Sequence, residues 1–150
     1  MMDDAAFMQA AIEAGKGVIG KTGENPAVGC VIVHDGRIVS TGATQPPGRG
    51  HAEVCAVHAA EAAGYDLSQC DVYVTLEPCS FQGHTPPCSA LLIAKHPHRV
   101  VVGIRDPHPR VRGAGIKALQ EAGIDVVVGV QAEAVQAYLS NWIERFPESA

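Results

Sequence analysis

Five short β-branched runs, at residues 28–33, 37–41, 71–76, 99–104 and 125–130, alternate with stretches of helical periodicity. That alternation limits the chain to an α/β architecture with helices packed on a central sheet. Over residues 3–19, Phe7, Met8, Ala11, Ile12 and Ala14 keep helical spacing, and Asp3 or Asp4 is placed to cap the start. Asp35-Gly36 separates the first two runs and is a strong two-residue hairpin signal, so those strands are expected to be antiparallel. Further helices are expected over 52–63, ended by Gly64, over 89–95, over 115–122, ended by Gly123, and over 132–145. With 150 residues, 47% of them hydrophobic, the chain has enough apolar surface for one buried core. It carries no linker-like, low-complexity or repeated tract, so one domain over residues 1–150 is predicted.

Two short motifs carry the chemistry. His51-Ala52-Glu53 stands at the start of one predicted helix, and Pro78-Cys79 is followed, after eight intervening residues, by Cys88 at the start of another. Together they offer one imidazole, two thiols and a carboxylate, the set that can hold Zn²⁺ with an open position and move protons on a bound water. Helix N-termini favour the thiolate over the thiol, and the thiolate is the form that binds metal. His51 and Glu53 are two residues apart and would not share a face of a regular helix, so they can converge only around the first turn. Two thiolates cancel the charge of Zn²⁺ and leave a weaker Lewis acid, which needs a base beside it. Glu53 is that base, able to take a proton from water and deliver it to a ring nitrogen and then to a departing amine. The reaction this suits is hydrolytic removal of an exocyclic amine from an aromatic heterocycle.

Other residues have plainer readings. Cys30, Cys55 and Cys70 read as small buried hydrophobes, and His34, His58 and His96 as ordinary surface or helix histidines. A closed structural zinc site using another histidine stays open, whereas eight residues between the cysteines argue against a thioredoxin-type redox pair. Lys95, Arg99, Arg105, Arg110 and Arg112 form either a basic patch suited to a phosphate or a solvated loop and helix end. A net charge of −5 and few aromatics argue against a nucleic-acid partner. No signal peptide, membrane-length apolar run or membrane anchor is read, and five cysteines without a framework pattern fit a reducing compartment, so a cytoplasmic protein is expected.

The H-x-E and P-C…C pattern resembles the zinc-dependent cytidine deaminase superfamily. Residues 25–33 (NPAVGCVIV), 75–80 (TLEPCS), 85–88 (TPPC) and 106–109 (DPHP) more narrowly resemble the deaminase domain of the bifunctional riboflavin-biosynthesis deaminase/reductase. The likeness runs from about residue 5 to residue 146, nearly the whole chain. It implies a three-layer α-β-α sandwich around a mixed five-stranded sheet. His51, Cys79 and Cys88 would be the zinc ligands, Glu53 the proton shuttle and Asn25 a contact to the pyrimidine. It also implies a homodimer or homotetramer, with any reductase step on a separate protein. The sequence departs from the family around the ribose and phosphate. Thr44 and Phe81 stand where histidine is usual, His84 where a fixed cation is usual, and His108 where asparagine is usual. Phe81 would favour stacking over sugar contacts, and His84 would weaken phosphate binding at neutral pH, which Arg110 and Arg112 would offset. Two alternatives therefore stand beside the riboflavin precursor: the same chemistry on an unphosphorylated nucleobase, nucleoside or pterin-like amine, and a catalytically silent zinc-binding module.

Overall fold

A computed structural model of the chain describes residues 3–23, 25–46, 51–78, 88–107 and 113–144. Helix α1 (Asp4–Lys16) begins where the Asp3 carboxylate accepts the Ala6 N–H at 2.9 Å, and it buries Phe7, Met8, Ala11 and Ile12. Strands β1 (Gly29–His34) and β2 (Arg37–Ala43) form the expected antiparallel hairpin. Asp35 and Gly36 both take positive φ, 50° and 74°, as a tight primed turn requires. There follow α2 (Ala52–Ala62), a 3-10 turn at Leu67–Gln69, β3 (Asp71–Leu76), α3 (Cys88–Lys95) and β4 (Arg99–Ile104). The described chain closes with α4 (Ala114–Glu121), β5 (Asp125–Val128), α5 (Ala132–Tyr138) and α6 (Ser140–Ile143).

The strands lie in the order β2-β1-β3-β4-β5. β1 pairs antiparallel with both β2 and β3, whereas β3 to β4 and β4 to β5 are parallel, so the sheet is mixed. β3 and β4 lie at its centre, and Val72, Val74, Val100 and Val102 are fully buried, which is why these strands read as continuous β-branched runs. α1 and α5 cover one face, and α2, α3 and α4 the other, giving the three-layer α-β-α sandwich.

The structure departs from the sequence expectations in several places. β5 ends two residues early, at Val128, because Gly129 turns to a φ of 102°. The single helix expected over 132–145 is broken at Leu139 (φ −96°, ψ 10°), whose carbonyl accepts from both Trp142 and Ile143. The break keeps Val135 and Leu139 buried while Tyr138, Trp142 and Ile143 pack on the core. The basic segment is also split. Lys95 pairs with Glu61 at 2.7 Å, and Arg99 binds both carboxylate oxygens of Asp4 at 2.8 and 3.0 Å and Asp71 at 3.3 Å. These pairs lie at the amino end of β4, whereas Arg105 follows its carboxyl end, about 20 Å away for six residues of strand. Lys95 and Arg99 therefore serve the scaffold, tying α2 to α3 and α1 to the sheet, and share no patch with Arg105.

Candidate metal and active site

The first turn of α2 is seated hard against the hairpin. A Cβ at Gly42 would stand 2.3 Å from the Ala52 carbonyl oxygen, so only glycine allows this approach. His51 occupies the N-cap with extended backbone (φ −80°, ψ 169°), yet its side chain does not cap the helix. Its Nδ1 lies instead 3.1 Å from Sγ of Cys88, the first residue of α3. Glu53 is in the same first turn of α2 and only 4% exposed. The two helix N-termini thus meet at the carboxyl end of β3, bringing an imidazole, a buried thiol and a buried carboxylate into one corner of the sandwich.

The donor geometry fits zinc. With Zn–N near 2.0–2.1 Å, Zn–S near 2.3 Å and a tetrahedral angle, two ligand atoms on one zinc lie about 3.5 Å apart. The 3.1 Å between His51 and Cys88 needs only a small opening to reach that span. Among the described residues no group of three candidate ligands converges. Cys79, the expected third ligand, lies outside them. The other described thiols are poor substitutes. Burial raises the Cys30 thiol well above its ordinary range, with the negative charge of Glu53 adding to it, and Cys55 is raised by burial and then by Glu53. Both shifts favour the neutral thiol over the thiolate, the form that binds metal. Cys70 donates to the Asp66 carbonyl at 3.3 Å. His34 ends β1 and His98 precedes β4, both at the strand ends opposite Glu77, while His58 and His96 are exposed.

One residue of the site is not singled out by sequence reasoning. Glu77, two positions before Cys79, is 3% exposed. Its Oε1 accepts N–H bonds from Asp106 at 3.0 Å and Gly113 at 2.8 Å, and its Oε2 accepts from Ile116 at 3.0 Å. It therefore caps α4 from 36 to 39 residues away, at a helix start whose own N-cap, Gly113, has no side chain to do so. Pro78 is packed just as closely, since a Cβ at Gly115 would meet the Pro78 carbonyl oxygen at 1.9 Å. The backbone leading into Cys79 is thus held on both sides. The one local signal is a carboxylate directly after an apolar strand.

On the expected substrate wall, Asn25 is exposed and its carbonyl accepts the Thr22 hydroxyl at 2.6 Å. Thr44 is 5% exposed, and its hydroxyl is committed to the backbone, donating to the Pro26 carbonyl at 2.9 Å and accepting from Val28 N–H at 3.0 Å. Phe81, His84, His108, Arg110 and Arg112 lie outside the described residues.

Comparison with known proteins gives the family of the chain. The family model for the cytidine and deoxycytidylate deaminase zinc-binding region matches residues 1–104. The chain is 44% identical over 144 residues to the chloroplastic riboflavin biosynthesis protein PYRD of Arabidopsis thaliana, covering 96% of this chain and 33% of the relative. It is 43% identical to the riboflavin biosynthesis protein RibD of Escherichia coli, covering 96% and 38% respectively. This chain therefore spans only about a third of the length of these curated relatives. Among solved structures it resembles a diaminohydroxyphosphoribosylaminopyrimidine deaminase/5-amino-6-(5-phosphoribosylamino)uracil reductase from Thermotoga maritima. That superposition has a TM-score of 0.89 at 39% identity and covers 97% of this chain and 41% of that one. The chain belongs to the cytidine and deoxycytidylate deaminase family, and it resembles the riboflavin biosynthesis proteins PYRD and RibD over about a third of their length.

Proposed function

We propose that this chain is a zinc-dependent aminohydrolase domain that removes an exocyclic amine from a pyrimidine as ammonia. Its substrate would be the phosphorylated ribosylaminopyrimidine named for the Thermotoga relative. The observation that carries this reading is the meeting of His51 Nδ1 and Cys88 Sγ at 3.1 Å beside the buried Glu53. His51, Cys79 and Cys88 would hold the metal. Zinc bound there supplies Lewis-acid chemistry that makes a water nucleophilic near neutral pH. Glu53 takes a proton from the attacking water and passes it to the ring nitrogen next to the reacting carbon. The same carboxylate then carries the second water proton to the amine, the C–N bond breaks, and the carbon keeps the oxygen as a carbonyl. Water and the amidine are consumed, and ammonia and a lactam leave, with no change in oxidation state. Burial of Glu53 suits this shuttle, because a shielded carboxylate hands protons on without exchange with bulk water.

Asn25 would contact the pyrimidine edge, and Thr44 would act through the backbone it holds. Phe81, His84, His108 and Arg110 would complete the wall. On this reading residues 1–150 form one deaminase domain of the cytoplasm that assembles as a homodimer or homotetramer. Four described cysteines are free thiols, which suits a reducing compartment. A second reading, the same chemistry on an unphosphorylated amine, is favoured by one observation: Lys95 and Arg99 are engaged in pairs away from the site. The test is ammonia release by the zinc-loaded protein. The riboflavin precursor is compared with its dephosphorylated form and with cytosine, guanine, adenine and pterin compounds, with Glu53→Ala as control. Turnover of the phosphorylated precursor alone supports the first reading. Turnover of unphosphorylated amines alone moves it to the second, and none at full zinc occupancy overturns both.

A further inference from the structure

The segment that leads into β1 and carries Asn25 is held by hydroxyls from three elements. Thr44, just past β2, holds Pro26 and Val28, as described above. Thr75, in β3, accepts the Gly29 N–H at 3.2 Å. The third is Tyr138, the last residue of α5, whose phenol donates to the Ala27 carbonyl at 2.8 Å and lies 2.8 Å from the Thr75 oxygen. Because the phenol proton goes to Ala27, the Thr75 hydroxyl must donate to Tyr138 while its oxygen accepts from Gly29, which leaves every proton in the chain assigned. Space for the phenol is made by Gly15 of α1, where a Cβ would stand 2.4 Å from the Tyr138 oxygen and 2.8 Å from the Ala27 carbonyl oxygen. Tyr138 falls within the helix expected over 132–145, and its polar tip reaches across to a chain segment 111 residues earlier.

We propose that Tyr138 is a positioning residue of the substrate wall, fixing the Asn25–Gly29 segment through Ala27 and Thr75. Asn25 is exposed and has to meet a flat heterocycle edge at hydrogen-bond distance, so a displacement of its backbone weakens that contact without touching Glu53 or the metal ligands. Removing the phenol oxygen leaves the Ala27 carbonyl and the Thr75 hydroxyl short of a partner, and the segment relaxes to find new ones. The inference rests on the reading of Asn25 as a pyrimidine contact.

The experiment combines Tyr138→Phe, which keeps the ring, with Asn25→Ala and the double variant. Thr75→Val serves as a second break in the relay and Thr75→Ser as the conservative rescue. Two readouts are taken on the zinc-loaded protein: KM and kcat for the amine, and amide exchange at Val28 and Gly29, which needs no turnover. Tyr138→Phe and Thr75→Val are expected to raise KM about fivefold or more with kcat within about twofold. Thr75→Ser should stay near wild type, and the double variant should have a KM no higher than that of Asn25→Ala alone. Exchange at both amides should quicken while that of β4 is unchanged. An unchanged KM, independent multiplication of the two effects, or unaltered exchange in Tyr138→Phe would overturn the proposal. A KM raised by Tyr138→Phe but not by Asn25→Ala would remove Asn25 from the proposed site and leave the positioning of its segment in place. If the wild type turns over no amine, the proposed function fails, and the amide exchange decides the positioning role by itself.

Discussion

Replacing Glu77 by glutamine keeps the size of the side chain and removes one acceptor. The glutamine carbonyl can take the place of Oε1 and still receive the Asp106 and Gly113 N–H groups, but its amide then faces the Ile116 N–H, donor against donor. A hydrogen bond to a charged group contributes about 1.5–3 kcal/mol, and stranding a buried donor forfeits most of it, so the expected loss is about 2 kcal/mol. For a domain of this size that lowers Tm by about 4–8 °C. Glu77→Ala strands all three donors and should cost about twice as much, a large share of the stability of an ordinary domain. The assay is thermal unfolding of the zinc-loaded protein with amide exchange read residue by residue. Exchange at Ile116 should quicken most in Glu77→Gln, ahead of Asp106 and Gly113. Because Glu77 holds the backbone just before Cys79, a chelator should also strip zinc about tenfold faster. A Glu77→Gln protein within about 0.5 kcal/mol of wild type would refute the reasoning, since surface-like tolerance is incompatible with a buried three-bond cap.

Other consequences can be checked separately. Cys88→Ala should lose its zinc, measured as metal per chain, whereas Cys30→Ala and Cys55→Ser should keep full stoichiometry because neither takes part in the meeting of His51 with Cys88 and burial favours their neutral thiols. The Asp4 carboxyl is held below its ordinary range chiefly by the hydrogen bond from Arg99, so its contribution is full above the usual carboxylate range and is lost as pH falls through the lowered value. Urea unfolding should therefore show the largest gap between wild type and Asp4→Asn at neutral pH, with the gap closing below about pH 4. Burial pushes the Tyr138 phenol up to about 12, against a weaker opposing effect of its hydrogen bond to Thr75. The stability difference between wild type and Tyr138→Phe should accordingly hold below about pH 10 and shrink as pH rises toward that value.

Local signals carried much of the architecture. The Asp35-Gly36 turn, the valine runs of β3 and β4 and the Asp3 cap each specify their element within a few residues, and the hydrogen bonds they need are local or between neighbouring strands. The meeting of His51 and Cys88 was also legible, because both fall where a loop enters a helix. What stayed hidden depends on partners far along the chain. Glu77 reads as a loop carboxylate until α4 is placed against it, and nothing near Tyr138 in the sequence marks Ala27 as the partner of its hydroxyl. The hold of the Thr44 hydroxyl on Pro26 and Val28 was likewise hidden, because both partners lie 16 to 18 residues away. Lys95 and Arg99 read as members of one basic cluster because sequence proximity says nothing of a strand that carries the chain from one end of the sheet to the other.

The central claim, that Glu53 beside a metal held by His51, Cys79 and Cys88 drives attack of water on an amine-bearing ring carbon, is tested most directly by isotope. The zinc-loaded protein is given its amine in water labelled with heavy oxygen, and product and ammonia are followed together by mass spectrometry. The account predicts one labelled oxygen at the carbon that lost the amine, one ammonia per product, and loss of both in Glu53→Ala. Product without label, or turnover that survives Glu53→Ala, would contradict it.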